Sequence, residues 1–235
     1  MPREIFRGYA FIVGAMKSGT STLHALLKQH PSICTGTKKE LNFFSKRAAK
    51  DPENYERKAF PNLNKYTHMY TLDSSPNYTK VTTNPETMTR IASMPGYKRL
   101  LYIMRNPVER IESHLTHTKA QGRAVDAAAV QHALNTSQYA MQLDAIAAAG
   151  LLPDLLLLDF KELTENPVGL CNRVFAFMDL EPVTVELDRV HNPRRLEGKL
   201  TTPDEDARYT ELLRPGVQDL IERYSFEPAR NWGIV

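Results

Sequence analysis

A change of apolar period across a glycine-containing turn restricts a fold sharply, and residues 9–23, Tyr-Ala-Phe-Ile-Val-Gly-Ala-Met-Lys-Ser-Gly-Thr-Ser-Thr-Leu, contain one. Tyr9 to Val13 is an apolar run of strand length. Leu23, Leu26 and Leu27 then fall at i, i+3 and i+4, so the pattern predicts strand, turn and helix. Amides from Ser18 to Thr22 are the unpaired donors of that helix's first turn, where its dipole is positive. Lys17 adds a full charge, Gly19 permits close backbone approach, and Thr20, Ser21 and Thr22 add hydroxyls. Such a turn suits a nucleotide 5′-phosphate. In a Walker A loop the lysine directly follows the second glycine, whereas here Lys17 precedes Gly19 in a shorter loop.

A second strand-to-helix junction lies further along. Arg99 to Met104 reads as an apolar strand that runs into Arg105-Asn106-Pro107-Val108-Glu109-Arg110-Ile111-Glu112-Ser113. Asn106 and Glu109 have capping-box spacing, and Val108, Ile111 and Leu115 share a helical face. Arg105 therefore sits at the C-terminal end of a strand, where open α/β sheets bind ligands. Its forked donors and the Ser113 hydroxyl two turns on suit phosphate. A Walker B strand would end in an acid; this one ends in arginine. His114 and His117 share a face, but no third ligand accompanies them, so no metal site is expected.

The chain's 235 residues suit one domain over 1–235, and strands alternating with helices predict an α/β fold with a mainly parallel central sheet. Further strands are expected over 68–73 and 155–158. Helices are expected near Tyr55 to Phe60, from Asn84-Pro85 with Asn84 as N-cap, over 126–149 with a break near 135–137, and from Asn166-Pro167 through Phe177. Two more, Asp204 to Leu213 and Pro215 to Tyr224, close the domain. A net charge of +3 suggests no nucleic-acid partner. Cys34 and Cys171 have no metal-like or disulfide-framework spacing. No apolar run nears the roughly 20 residues of a membrane span, and 1–8 lacks a secretory pattern. A cytoplasmic location is expected.

The order Lys-Ser-Gly-Thr-Ser-Thr-Leu after a strand resembles the 5′-phosphosulfate loop of sulfotransferases that use 3′-phosphoadenosine 5′-phosphosulfate (PAPS). Arg-x-Pro-x-x-Arg-x-x-Ser resembles their 3′-phosphate motif. The resemblance implies a P-loop-like three-layer α/β/α sandwich and PAPS as donor, leaving as adenosine 3′,5′-bisphosphate without a metal. It implies that Lys17, Ser18, Gly19, Thr20, Ser21 and Thr22 hold the 5′ end, and Arg105 and Ser113 the 3′-phosphate. Lys39-Glu40-Leu41-Asn42-Phe43-Phe44 is similar to the Lys/Asn-Glu-x-x-Phe-Phe segment of carbohydrate-modifying members. That makes Glu40 the general base, with Lys17 the second catalytic residue.

Asp73-Ser74-Ser75-Pro76-Asn77-Tyr78 resembles Glu-Lys-(Ser/Thr)-Pro-x-Tyr of heparan-type members, with Ser74 in place of the lysine; it implies that Asp73 meets the acceptor. Ser137-Gln138-Tyr139 resembles a Gly/Ser-x-Tyr that lines the cleft, which implies the same of Tyr139. The basic loop 191–199 matches the place of the loop that closes over the 3′-phosphoadenosine group, with Arg194, Arg195 and Lys199 as candidates. The family's Lys-Gly-Arg pattern is not reproduced there, and a solvated basic loop is the other reading. The acceptor class is a small molecule or carbohydrate. An ATP-dependent kinase and a non-catalytic nucleotide-binding protein are the alternatives.

Overall fold

The computed structural model describes residues 3–45, 52–187 and 198–235. Among them, β1 (Gly8–Gly14), β2 (Ile33–Thr35), β3 (Tyr70–Asp73), β4 (Tyr97–Met104) and β5 (Leu155–Asp159) form one sheet in the order β2-β3-β1-β4-β5. Every pairing is parallel. Parallel strands are covered on both faces, which is why these segments are continuous apolar runs. The central strand β1 is buried at all of its residues.

Side-chain alternation along β1 divides the interior in two. Tyr9, Phe11 and Val13 pack with α2 (Pro52–Ala59), α3 (Thr87–Ala92), α6 (Tyr139–Ala148) and α9 (Pro203–Glu222). Ala10 and Ile12 face the other way, against α1 (Thr20–Leu27), α7 (Phe160–Glu165) and α8 (Pro167–Phe177). A smaller cluster joins Ile111 and Leu115 of α4 (Pro107–Ala120) to Ala133 of α5 (Ala127–Asn135) and to Tyr209 and Leu213 of α9. The result is the expected three-layer α/β/α arrangement.

Three local expectations are corrected. α3 begins at Thr87, and Asn84 does not cap it with its side chain; the Asn84 amide closes a turn onto the Lys80 carbonyl at 2.8 Å, and its own carbonyl accepts from Thr87 at 3.2 Å. Asn106 does cap α4, accepting from the amides of Val108 and Glu109, but Glu109 pairs with Arg105 instead of returning to the cap. The two closing helices are one helix, α9, running through Pro215. Proline removes one helical hydrogen bond, but Tyr209, Leu213, Val217 and Leu220 stay on one buried stripe, and their packing carries the helix across the exposed proline.

β1 connects toward the β2 edge of the sheet and β4 toward the β5 edge. Their loops therefore leave in opposite directions, which is the switch point where open α/β sheets place a ligand crevice, outside the C-terminal ends of these neighbouring strands.

Candidate active site

The loop after β1 forms one wall of this crevice. Lys17 and Gly19 both take the left-handed conformation, with φ of 70° and 85°. The Ser18 amide is used internally, on the Ala15 carbonyl at 3.2 Å, and the first helical bond of α1 runs from Leu23 to Gly19 at 3.0 Å. The amides of Gly19, Thr20, Ser21 and Thr22 have no backbone acceptor among the described residues, so the anion cradle is one residue shorter than the sequence implies. Thr20 is buried, Thr22 half-buried and Ser21 exposed. Ser18 Oγ is fully buried beside the Tyr139 hydroxyl.

Arg105, just beyond β4, forms the facing wall. Its guanidinium lies over the ring of Phe160 at 4.7 Å, and Nη2 donates to Glu109 at 2.6 Å. Nε is buried and unbonded. Ser113 is half-buried one turn beyond Glu109 on α4. Lys17 is half-buried, and its ammonium pKa is lowered, first by burial and then by the charges of Arg105, Arg110 and Lys39. Segments far apart in sequence thus place three cations close enough to act on Lys17. Two of these cations keep half-exposed carboxylate partners, Arg105 with Glu109 and Lys39 with Glu40, and the group with the unbonded Arg105 Nε suits a polyanionic ligand.

Glu40 follows Lys39 and pairs with it at 3.0 Å, its side chain 44% exposed. Its charge acts on Lys80 and His117, both of which are lowered mainly by burial, and His117 is acted on by Lys17 as well. Ser74, the residue in place of the expected lysine, is buried and bonded to His24 Nδ1 at 2.7 Å.

Two predicted acceptor contacts lie elsewhere. Asp73 is fully buried, and its carboxylate oxygens are taken by Ser75, Tyr78 and Tyr55. Tyr139 is also buried, donating to the Arg105 carbonyl at 3.1 Å and packing edge-on against Tyr102 and Trp232. It braces the Arg105 loop from beneath. Arg194 and Arg195 lie outside the described residues. Lys199 pairs with Asp206, next to Leu200 and Thr201, whose amides both donate to Glu112 at 2.9 Å. Those bonds hold Glu112 below the usual carboxylate range, against the effect of burial.

Sequence reasoning left out Arg110, which is fully buried and donates to Met16, Ser137 and Ala133. The available signal was an arginine one residue from Ile111 and a helical turn from His114 and Leu115, on the apolar side of α4. Phe160, which supports Arg105, carried no polar signal at all.

A profile described as "Sulfotransferase domain" matches residues 8–205. A membrane-associated sulfotransferase, kil1 of Dictyostelium discoideum, is 31% identical over 103 residues, covering 42% of this chain and 20% of that protein. The chain thus matches about a fifth of that relative's length. Among solved structures, a sulfotransferase from Alicyclobacillus acidocaldarius superposes with a TM-score of 0.75 at 22% identity, covering 98% of this chain and 100% of the other. The sulfotransferase domain of the Synechococcus PCC 7002 olefin synthase gives a TM-score of 0.58 at 14% identity, covering 96% and 97%. These likenesses show the P-loop-like α/β fold.

Proposed function

The chain belongs to the sulfotransferase domain family, and from that premise we propose that it moves a sulfuryl group from PAPS to a hydroxyl or amine of a small-molecule or carbohydrate acceptor. The observation that carries the donor assignment is the meeting of the segments after β1 and β4, where Arg105, Arg110 and Lys39 lie close enough to act on Lys17 and the buried Arg105 Nε is unbonded. PAPS supplies the sulfuryl group and departs as adenosine 3′,5′-bisphosphate.

The amides of Gly19 to Thr22 and the Lys17 ammonium hold the 5′ end, and Arg105 and Ser113 take the 3′-phosphate. Glu40 removes the acceptor's proton as its oxygen or nitrogen bonds to sulfur. Lys17 neutralises the charge that gathers on the bridging oxygen as its bond to sulfur breaks. Arg194, Arg195 and Lys199 remain candidates for the adenosine side. The near-balanced charge supports a partner other than nucleic acid, and the cytoplasm is the proposed compartment; no described helix is long and apolar enough to cross a membrane.

A kinase reading asks for a free acid at a strand end to hold Mg²⁺. β4 is followed by Arg105, the Asp73 carboxylate that ends β3 is already occupied by three hydroxyls, and Asp159, which ends β5, caps α7 by accepting from the Lys161 amide. The test is PAPS turnover, read as adenosine 3′,5′-bisphosphate release with a panel of hydroxyl and amine acceptors. Lys17→Ala and Glu40→Gln should each lower it by about a hundredfold to a thousandfold. Undiminished turnover in Glu40→Gln removes Glu40 as the base.

A further inference from the structure

The segment carrying Glu40 belongs to no helix or strand: residues 38–43 lie between β2 and α2 without regular structure, and Asn42 has a φ of 51°. What fixes it is a set of bonds to the segment that follows β3. Ser75 Oγ accepts the Asn42 amide at 2.9 Å, and the Tyr78 hydroxyl accepts those of Phe43 at 3.1 Å and Phe44 at 3.5 Å. Asn77 Nδ2 donates to Asn42 Oδ1 at 2.9 Å, and the Ser74 amide to the Lys39 carbonyl at 3.2 Å.

Both accepting hydroxyls spend their protons on one group. Ser75 donates to Asp73 Oδ1 at 2.6 Å and Tyr78 to Asp73 Oδ2 at 2.6 Å, while Tyr55 adds a bond at 3.2 Å and the Leu41 amide donates directly. A hydroxyl has one proton and two lone pairs. Once the proton is committed to a carboxylate, only acceptor capacity is left, and it faces the backbone amides. The carboxylate therefore sets the bonding direction for four consecutive amides, from Leu41 to Phe44.

We propose that Asp73 is the positioning residue of the general base: acting through Ser75 and Tyr78, it holds the Glu40 segment in place without touching either substrate. The proposal rests on the reading of Glu40 given above. It gives the buried Asp73 a mechanical role in place of an acceptor contact. The isosteric substitution Asp73→Asn would present an amide donor to hydroxyls or an amide that are themselves donating, and at least one bond of the set would have to reverse or break.

The test combines amide hydrogen exchange with kinetics on the full chain carrying Asp73→Asn, with Ser75→Ala and Tyr78→Phe as milder variants should Asp73→Asn fold poorly. Amides 41–44 should exchange about tenfold faster, the equivalent of one net hydrogen bond, while residues 15–23 and the affinity for adenosine 3′,5′-bisphosphate stay unchanged. PAPS turnover, water serving as acceptor where no better one is in hand, should fall by about tenfold to a hundredfold, as for a displaced catalytic group. The double variant with Glu40→Gln should turn over no more slowly than Glu40→Gln alone.

Unchanged exchange at 41–44 in all three variants overturns the proposal. So does a loss of turnover that simply multiplies with that of Glu40→Gln. If Glu40→Gln alone leaves turnover intact, the base assignment fails, and the exchange arm still decides whether Asp73 holds the segment.

Discussion

Nη1 of Arg110 donates to the Met16 carbonyl at 3.2 Å, bridging 94 residues of chain and fastening the helix behind Arg105 to the loop that carries Lys17. The same nitrogen donates to His114 Nδ1 at 3.3 Å, Nε to Ser137 Oγ at 2.7 Å, and Nη2 to the Ala133 carbonyl. The two walls of the crevice thus share one buried cation. Burial brings its pKa down to about 10, so it remains charged at neutral pH.

Lysine cannot span these acceptors. Arg110→Lys should leave at least two of them buried and unbonded, at about 1–3 kcal/mol each. Urea denaturation is expected to show a loss of about 2–6 kcal/mol, with weaker binding of adenosine 3′,5′-bisphosphate. A loss below about 1 kcal/mol would mean that the bridge does not matter to the fold.

Gly19→Ala should strain the loop in two ways. Its φ of 85° suits glycine, and an added Cβ would come within 2.8 Å of Leu163 Cδ2 and 2.9 Å of Phe160 Cδ2. The left-handed conformation costs roughly 1–2 kcal/mol and overpacking about 1–3 kcal/mol. Phe160 is also the ring beneath Arg105. Stability and adenosine 3′,5′-bisphosphate affinity should therefore fall together, measurable by melting and titration calorimetry. Full affinity in a destabilised variant would show that Phe160 does not set the position of Arg105.

Acid should weaken the fold from about pH 6.5 downward. Burial, followed by Arg110, His132, Lys80 and His117, lowers His114 from 6.5 to about 3; burial, with Lys39 and Lys28, lowers His24 from 6.5 to about 4. The unfolded chain binds these two protons first, so the stability present above pH 6.5 drains away as pH falls toward 4 and 3. Asp73 works the other way. Burial raises it from 3.8 to about 6 despite its bonds to Ser75, Tyr78, Tyr55 and Leu41, so its protonation favours the folded state between about 6 and 3.8. Two histidines outweigh one carboxyl over this range. The melting temperature should drop from about pH 7 to about pH 5, and His114→Gln should flatten that drop. A melting temperature that rises on acidification, or the same drop in the variant, contradicts this account.

The sequence made the strand, loop and helix around Lys17 legible because the apolar period changes there, and a phosphate-binding turn needs small, donor-rich residues that few other turns combine. Arg105 was legible for a related reason, since its place after an apolar strand and before an Asn-Pro start already puts it at the sheet's C-terminal edge. Asp73 was not. An acid before Ser-Ser-Pro reads the same whether it faces a cleft or turns inward, and only the tertiary placement of Tyr55, Ser75 and Tyr78 decides. The burial of Tyr139 was not legible either, because a tyrosine at a helix start shows nothing of which carbonyl its hydroxyl will reach. Pro215 reads locally as a helix boundary, but the stripe from Tyr209 to Leu220 overrides it through packing.

The central claim is that the crevice between β1 and β4 is a binding site for a 3′,5′-bisphosphorylated adenosine. The most direct measurement is thermal stability with adenosine 3′,5′-bisphosphate, beside ADP and ATP with and without Mg²⁺, for the wild type and Arg105→Ala. At about 100 times its dissociation constant a ligand adds about 2.7 kcal/mol. The account predicts stabilisation by the 3′,5′-bisphosphate alone, independent of Mg²⁺ and largely lost in Arg105→Ala. Stabilisation by ATP with Mg²⁺ in preference to the bisphosphate, unchanged in Arg105→Ala, would contradict it.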